Sequence, residues 1–204
     1  MGEEFTKTNL DSNAEGILND CIKICEMLVK KQKDVVVEIG KLYIRINIDW
    51  CELYYRFVDF EEVDIFCDDD QRKKTSDRLY FRFENGNSKR NRVDLCCGDG
   101  INQVSILLRC GRYLIQGEDW KKYEGPAAIA NLILHIANNN GVCLDDITYK
   151  LEDSNREESD NCYRLLRNGL VIDNKDIKNV DSIIKNLGFS NQNRQIILKI
   201  RYEQ

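Results

Sequence analysis

Apolar positions recur along this chain with two different periods, and the change of period divides it. From Asn13 to Lys33, Ala14, Ile17, Leu18, Cys21, Ile22, Cys25, Leu28 and Val29 fall three and four apart. They draw one stripe of an amphipathic helix, and Lys30, Lys31 and Lys33 are expected in its last turn. From Val35 to Gly117 the period is two. Leu42, Ile44, Ile46 and Ile48 alternate with Tyr43, Arg45, Asn47 and Asp49. Leu53, Tyr55 and Phe57 form a second run, Val63–Cys67 a third, and Leu79, Phe81 and Phe83 a fourth. Arg92–Cys97, Ile101–Arg109 and Arg112–Gln116 complete the series. Glu84-Asn85-Gly86-Asn87, Gly98-Asp99-Gly100 and Cys110-Gly111 supply turn chemistry between runs. This predicts about seven short strands, each with one apolar face, in an antiparallel meander or open barrel.

A second helix is expected from Pro126, with proline in the first turn, Ile129, Leu132, Ile133 and Ile136 as its buried stripe, and Gly141 as its stop. Leu144–Leu151 reads as strand or extended linker. The charged stretch Glu152–Asp160 is the best candidate boundary, with short helices expected over Asn161–Asn168 and Lys175–Leu187 and a final strand near Ile196–Tyr202. The fold class is therefore α+β. Residues 1–151 form a helix–sheet–helix core domain, and 152–204 a helical appendage with a closing strand. The element order resembles that of a pleckstrin-homology-like barrel and also fits helix-on-sheet folds with ligand cavities, analogies of architecture that say little about function.

Composition narrows the classes. The net charge of −5 gives no general drive toward nucleic acid or anionic membranes. Met1–Leu10 is polar and acidic, unlike a signal peptide, and no apolar run approaches a membrane span. The nine cysteines, without a secretory signal, point to free thiols in a reducing, cytoplasmic setting. No Cys-x-x-Cys pair occurs, and core positions account for Cys21, Cys25, Cys96 and Cys97 better than a metal does, so neither metal nor cofactor is expected.

One stretch resembles a functional signature. Val93-Asp94-Leu95-Cys96-Cys97-Gly98-Asp99-Gly100 is similar to the first motif of S-adenosylmethionine methyltransferases, in which a strand ends in Asp-x-Gly-x-Gly-x-Gly. The resemblance implies that Asp94, Gly98 and Gly100 hold the cofactor. It also implies a helix after the loop, and an acid at the end of the next strand, supplied by Glu118 or Asp119. Cys96 stands where the family has its first glycine. The alternation of Val104, Ile106 and Leu108 after the loop predicts a hairpin instead, and the hairpin is the leading reading.

Charge is segregated. Asp59, Glu61, Glu62, Asp64, Asp68, Asp69 and Asp70 are followed by Arg72, Lys73, Lys74, Arg78, Arg82, Lys89, Arg90 and Arg92, interleaved with Tyr80, Phe81 and Phe83. Basic residues among aromatics suit a phosphate or nucleic-acid site, in which charge tracks the backbone and rings stack on bases. The simpler reading pairs the two charge blocks across strands and turns Phe81 and Phe83 into the core. A second acidic patch covers Asp145, Asp146, Glu152, Asp153, Glu157, Glu158 and Asp160. His135 reads as a partly buried structural residue. Trp50, Trp120, Tyr54 and Tyr55 would be interface anchors if exposed.

No residue is assigned a catalytic role. The leading expectation is a non-catalytic binding protein (adaptor, inhibitor or immunity-type) that engages another protein through its charged patches. The alternatives are a nucleic-acid or phosphate binder using the 72–92 segment, and a methyltransferase using the 94–100 loop.

Overall fold

The computed structural model describes residues 14–56, 70–83, 87–157, 163–166 and 198–201. Strands β1 (Lys33–Ile39), β2 (Leu42–Arg56), β3 (Ser76–Arg82), β4 (Arg92–Cys97), β5 (Gln103–Ile115) and β7 (Thr148–Asp153) form a closed antiparallel barrel in the order β5-β4-β3-β7-β1-β2, with β2 returning to pair β5. The β2–β5 pairing is the longest, from Ile44↔Ile115 to Arg56↔Gln103. The β3–β7 seam is a single pair, Arg78↔Thr148. Strand β6 (Lys121–Glu124) extends the sheet from β5. Strand β9 (Leu198–Arg201) pairs with β2, and β8 (Tyr163–Leu166) with β9.

Inward-facing residues fill the barrel. Val35, Val37 and Ile39 meet Ile44, Ile46 and Ile48, and Leu53, Val93, Leu95, Ile106 and Leu108 continue the same cluster. Two helices, α1 (Ala14–Val29) and α2 (Pro126–Asn139), add Cys21, Cys25 and Leu28, and Ile129, Ile133 and Ala137, to that core. Burying these apolar faces is the main driving force for closure.

Several local expectations change. The first helix stops at Val29, so the lysines lie beyond it. Lys31 is left-handed at φ 62°, and the bonds Gln32 N–H to Met27 O and Lys31 N–H to Leu28 O complete a Schellman stop with a non-glycine residue in the turn. β1 is hidden in the sequence because Val35, Val36 and Val37 are buried on both faces, which erases the alternation. The runs at 42–48 and 53–57 are one strand as far as Arg56. A bulge at Trp50 shifts the inward set from Ile44, Ile46 and Ile48 to Cys51, Leu53 and Tyr55.

Cys110-Gly111 is no turn; β5 runs through it. Gly111 lies against Asn47, whose carbonyl oxygen would sit 2.1 Å from a Cβ there, so the glycine serves a close strand approach. Leu144–Leu151 holds a 3-10 turn and then the strand that closes the barrel. Within the expected helix over Asn161–Asn168, Tyr163–Leu166 is strand, because β9 offers it a pairing edge. Val63–Cys67, most of the acidic block at 59–70 and the helix at 175–187 lie outside the described residues.

Gly125-Pro126 opens α2 as expected. Gly141, at φ 63°, ends it with the bonds Val142 N–H to Ala137 O and Gly141 N–H to Asn138 O.

Candidate functional site

The two stretches singled out in the sequence, the glycine loop and the basic segment, meet in space. Residues 98–102 join β4 to β5 as a hairpin loop, and the chain leaves that loop as a strand; the helix that a cofactor loop would open is absent from residues 103–115. The loop packs against the 3-10 turn Gln71–Lys74. Gly98 N–H donates to Thr75 O at 2.9 Å, and Gly100 N–H to Lys74 O at 2.7 Å. A Cβ on Gly98 would lie 2.4 Å from the Lys73 carbonyl oxygen. The close backbone approach that glycine permits is thus made to the chain itself. Asp99 caps the loop by accepting from Ile101 N–H, Asn102 N–H and the Asn102 amide, which together hold its carboxyl below the usual range despite partial burial.

Asp94 and Lys73, one a candidate cofactor ligand and the other a candidate phosphate ligand, neutralise each other. Both are buried on the outer face of the barrel, with Lys73 Nζ 3.6 Å from Asp94 Oδ2. Ser105 Oγ donates to the same carboxylate at 3.0 Å, and the ammonium lies over the rings of Tyr80 at 4.7 Å and Tyr54 at 5.8 Å. Burial pushes the Asp94 carboxyl above its ordinary range, against the opposing pull of Lys73 and Ser105. Beside this cluster Glu52 is buried and accepts from Tyr54 Oη at 3.0 Å and from Arg109 at 2.9 Å. The outer face of β2, β4 and β5 therefore carries a second, polar core, pinned under the 70–75 turn.

The remaining basic residues are dispersed. Arg72 grips Asp70 with two bonds of 3.0 and 2.6 Å, which lowers the Asp70 carboxyl to about 2, and its guanidinium also lies over Tyr80 at 4.7 Å. Arg78 donates to the Asp145 backbone at 2.8 Å, and Lys74 is half-buried in the turn. Arg82 and Arg92 face each other across β3 and β4, both half-buried. Lys89 and Arg90 are exposed on a 3-10 turn, Ser88–Arg90. Asn131 of α2 holds that turn by donating to Ser88 O at 3.0 Å and accepting from Asn91 at 2.7 Å.

Some candidates change environment. Phe83, expected in the core, is 51% exposed, because it lies just past the last residue of β3. Its ring stacks parallel on the buried Phe81, with centroids 6.2 Å apart. Tyr54 and Tyr55 are buried and unfit as anchors, and Trp50 and Trp120 are half-buried beneath Arg109 and Arg156. His135 is exposed rather than partly buried, 3.0 Å from the Asn139 amide. Cys21, Cys25, Cys51 and Cys96 are buried free thiols, while Cys143 is exposed. Of the second acidic patch, Glu152 forms an ion pair with Arg45, and Asp153 pairs with Lys33 at 2.6 Å. No helix among the described residues is long and apolar enough to cross a membrane.

Among the described residues, Phe83 is thus exposed at the end of β3, stacked on Phe81, and the basic turn Ser88–Arg90 that precedes β4 is tied to α2. The sequence signal for Phe83 is its place just before Glu84-Asn85-Gly86-Asn87, where a strand runs out. The chain matches no protein-family model, and comparison with curated proteins gives no match.

Proposed function

We propose that this chain is a non-catalytic binding protein, of adaptor, inhibitor or immunity type, that presents the β3–β4 hairpin tip to an acidic surface of another protein. The observation that carries the reading is the exposure of Phe83 at 51% on a ring stack whose other half is buried. A rigid aromatic loses little entropy on docking and contributes much apolar contact, as interface anchors do. The exposed Lys89 beside it favours an acidic partner, because complementary charge raises the encounter rate and rejects wrong partners.

A protein partner is favoured over nucleic acid by the fate of the other cations. Nucleic-acid affinity grows with the number of phosphates neutralised. Lys73 and Arg72 pair with the chain's own carboxylates, and Arg78 donates to its backbone. The strip of basic side chains left facing solvent is short.

The test is capture of partners by the full chain from native lysate, with and without nuclease, at low and high salt, beside the variants Phe83→Ala and Lys89→Ala/Arg90→Ala. The expected result is a stoichiometric protein that survives nuclease and is lost from Phe83→Ala. Recovery abolished by nuclease would transfer the reading to nucleic acid. Equal recovery by Phe83→Ala would remove the hairpin tip from the interface.

A further inference from the structure

On a different part of the barrel, three cations gather, none in an ion pair with a carboxylate of the described residues. Arg112 of β5 and Lys122 of β6 are directly opposite each other in the antiparallel register, so their side chains share a face of the sheet. That face is the outer one, since of their neighbours Tyr123 belongs to the core cluster and Tyr113 packs against it. Arg156, beyond the end of β7, reaches across the same face and lays its guanidinium on Trp120, 4.1 Å from the ring centroid. Trp120 immediately precedes β6, so the stack sets a third positive charge on this face, near Arg112.

Like charges directly opposite in a sheet are destabilising, and partial burial sharpens the repulsion. Arg112 and Arg156 are both half-buried, and Arg156 loses proton affinity mainly through burial and next through the charge of Arg112. Asp34 and Asp49 offset part of this by attracting the Arg156 charge, but they and Glu118 are bound to other groups, and Glu124, two residues along β6 from Lys122 and on the same face, is exposed. Asp34 holds Arg45 at 3.2 Å and Asn47 at 3.1 Å, Asp49 faces Lys31 at 3.6 Å, and Glu118 binds Lys121 at 2.6 Å. Among the described residues no carboxylate forms an ion pair with Arg112, Lys122 or Arg156. The cross-strand neighbour of Arg112 on its other side, Asn47, is fully buried.

We infer that Arg112, Lys122 and Arg156 form a binding site for a phosphoryl group on the outer face of β5 and β6. Two guanidinium forks and an ammonium suit a dianion with several acceptor oxygens better than a single carboxylate, which would leave the cluster strongly positive. This site is independent of the hairpin tip. The phosphoryl group can come from a soluble phosphate ester or from a lipid headgroup, and the two sources are separable by experiment.

In the first arm, thermal unfolding of the full chain is followed against inorganic phosphate, with chloride at matched ionic strength as reference. The wild type is expected to show a saturable rise in melting temperature, because a ligand that binds only the native state stabilises it. In Arg112→Gln and Lys122→Gln the apparent affinity is expected to fall about tenfold each, the loss of one charge-assisted contact. Without phosphate both variants should melt at or above the wild-type temperature, since each relieves repulsion. This control shows that they fold. The second arm is co-sedimentation with phosphatidylcholine vesicles, with or without phosphoinositide. Binding lost in the variants assigns the group to a lipid headgroup, whereas a phosphate response without vesicle binding assigns it to a soluble ester. No saturable response in either arm, or a response undiminished in the variants, would overturn the site.

Discussion

Lys73 sits in a basic run, where sequence alone predicts solvent or phosphate, yet it is one of the largest fully buried side chains in the molecule. Its ammonium is held by one carboxylate and two aromatic faces. Asp94, its partner, has a folded-state pKa raised by burial. A carboxyl raised on folding favours the native state least once it is ionised, so this contribution weakens as pH rises through the folded value. Removing Lys73 removes the charge that makes the ionised carboxylate tolerable. Lys73→Met is therefore expected to cost about 3–5 kcal/mol at neutral pH, the cost of an unpaired buried charge, and less at mildly acidic pH, where Asp94 takes up a proton. Urea unfolding at the two pH values checks this. Equal losses at both would mean that Asp94 is not the group left unpaired. Lys73→Met combined with Asp94→Asn should recover part of the loss, because no buried charge then lacks its partner.

At the scale of elements, two glycines expected in turns make close backbone contacts; Gly98 does sit in a turn, and Gly111 lies within a strand. Gly111 lets β5 approach β2 at Asn47, and Gly98 lets the β4–β5 loop seat against the 71–74 turn. Gly100 differs: nothing would meet a Cβ there, but its φ of 96° is strained for any other residue. Gly98→Ala is expected to lower stability by about 1–3 kcal/mol through backbone overlap, and Gly100→Ala by about 1–2 kcal/mol through strain alone. Both losses should appear in thermal unfolding with no ligand present. A Gly98→Ala chain as stable as the wild type would show that the turn is not seated on this loop, and would reopen the question of what the glycine accommodates.

For the whole molecule, the barrel is closed unevenly. β2 and β5 pair along most of their length, whereas β3 and β7 share the single pair Arg78↔Thr148. Few backbone bonds cross that seam, so its opening free energy should lie well below the global value. Native-state hydrogen exchange is expected to show fast exchange at Arg78 and Thr148 and slow, globally limited exchange in the β2–β5 ladder, at Ile46 and Ile106 for example. Uniform protection across all strands would argue that the packing of α2 and the barrel core, rather than the ladder, sets the opening unit. The proposed anion site lies on the well-paired side, across β5 and β6, so phosphate should not alter exchange at the seam.

What the sequence determined alone are the features that depend on near neighbours: the two amphipathic helices, the alternation in β3, β4 and β5, the proline start and glycine stop of α2, and the hairpin at Gly98-Asp99-Gly100. Each comes from side-chain period or from local backbone freedom, which a short window contains. It could not show β1, because burial on both faces removes the period. It also split β2, because a bulge at Trp50 reverses which parity faces inward. Nor was the pairing of Lys73 with Asp94 legible, or the gathering of Arg112, Lys122 and Arg156, since each depends on strand register and on a chain segment returning from elsewhere. Whether a charge ends in solvent, in an internal pair or in a cluster of like charge is decided by what tertiary structure lays over it. That is why several candidate residues have partners that no short window shows, while most of the elements stayed where their periodicity put them.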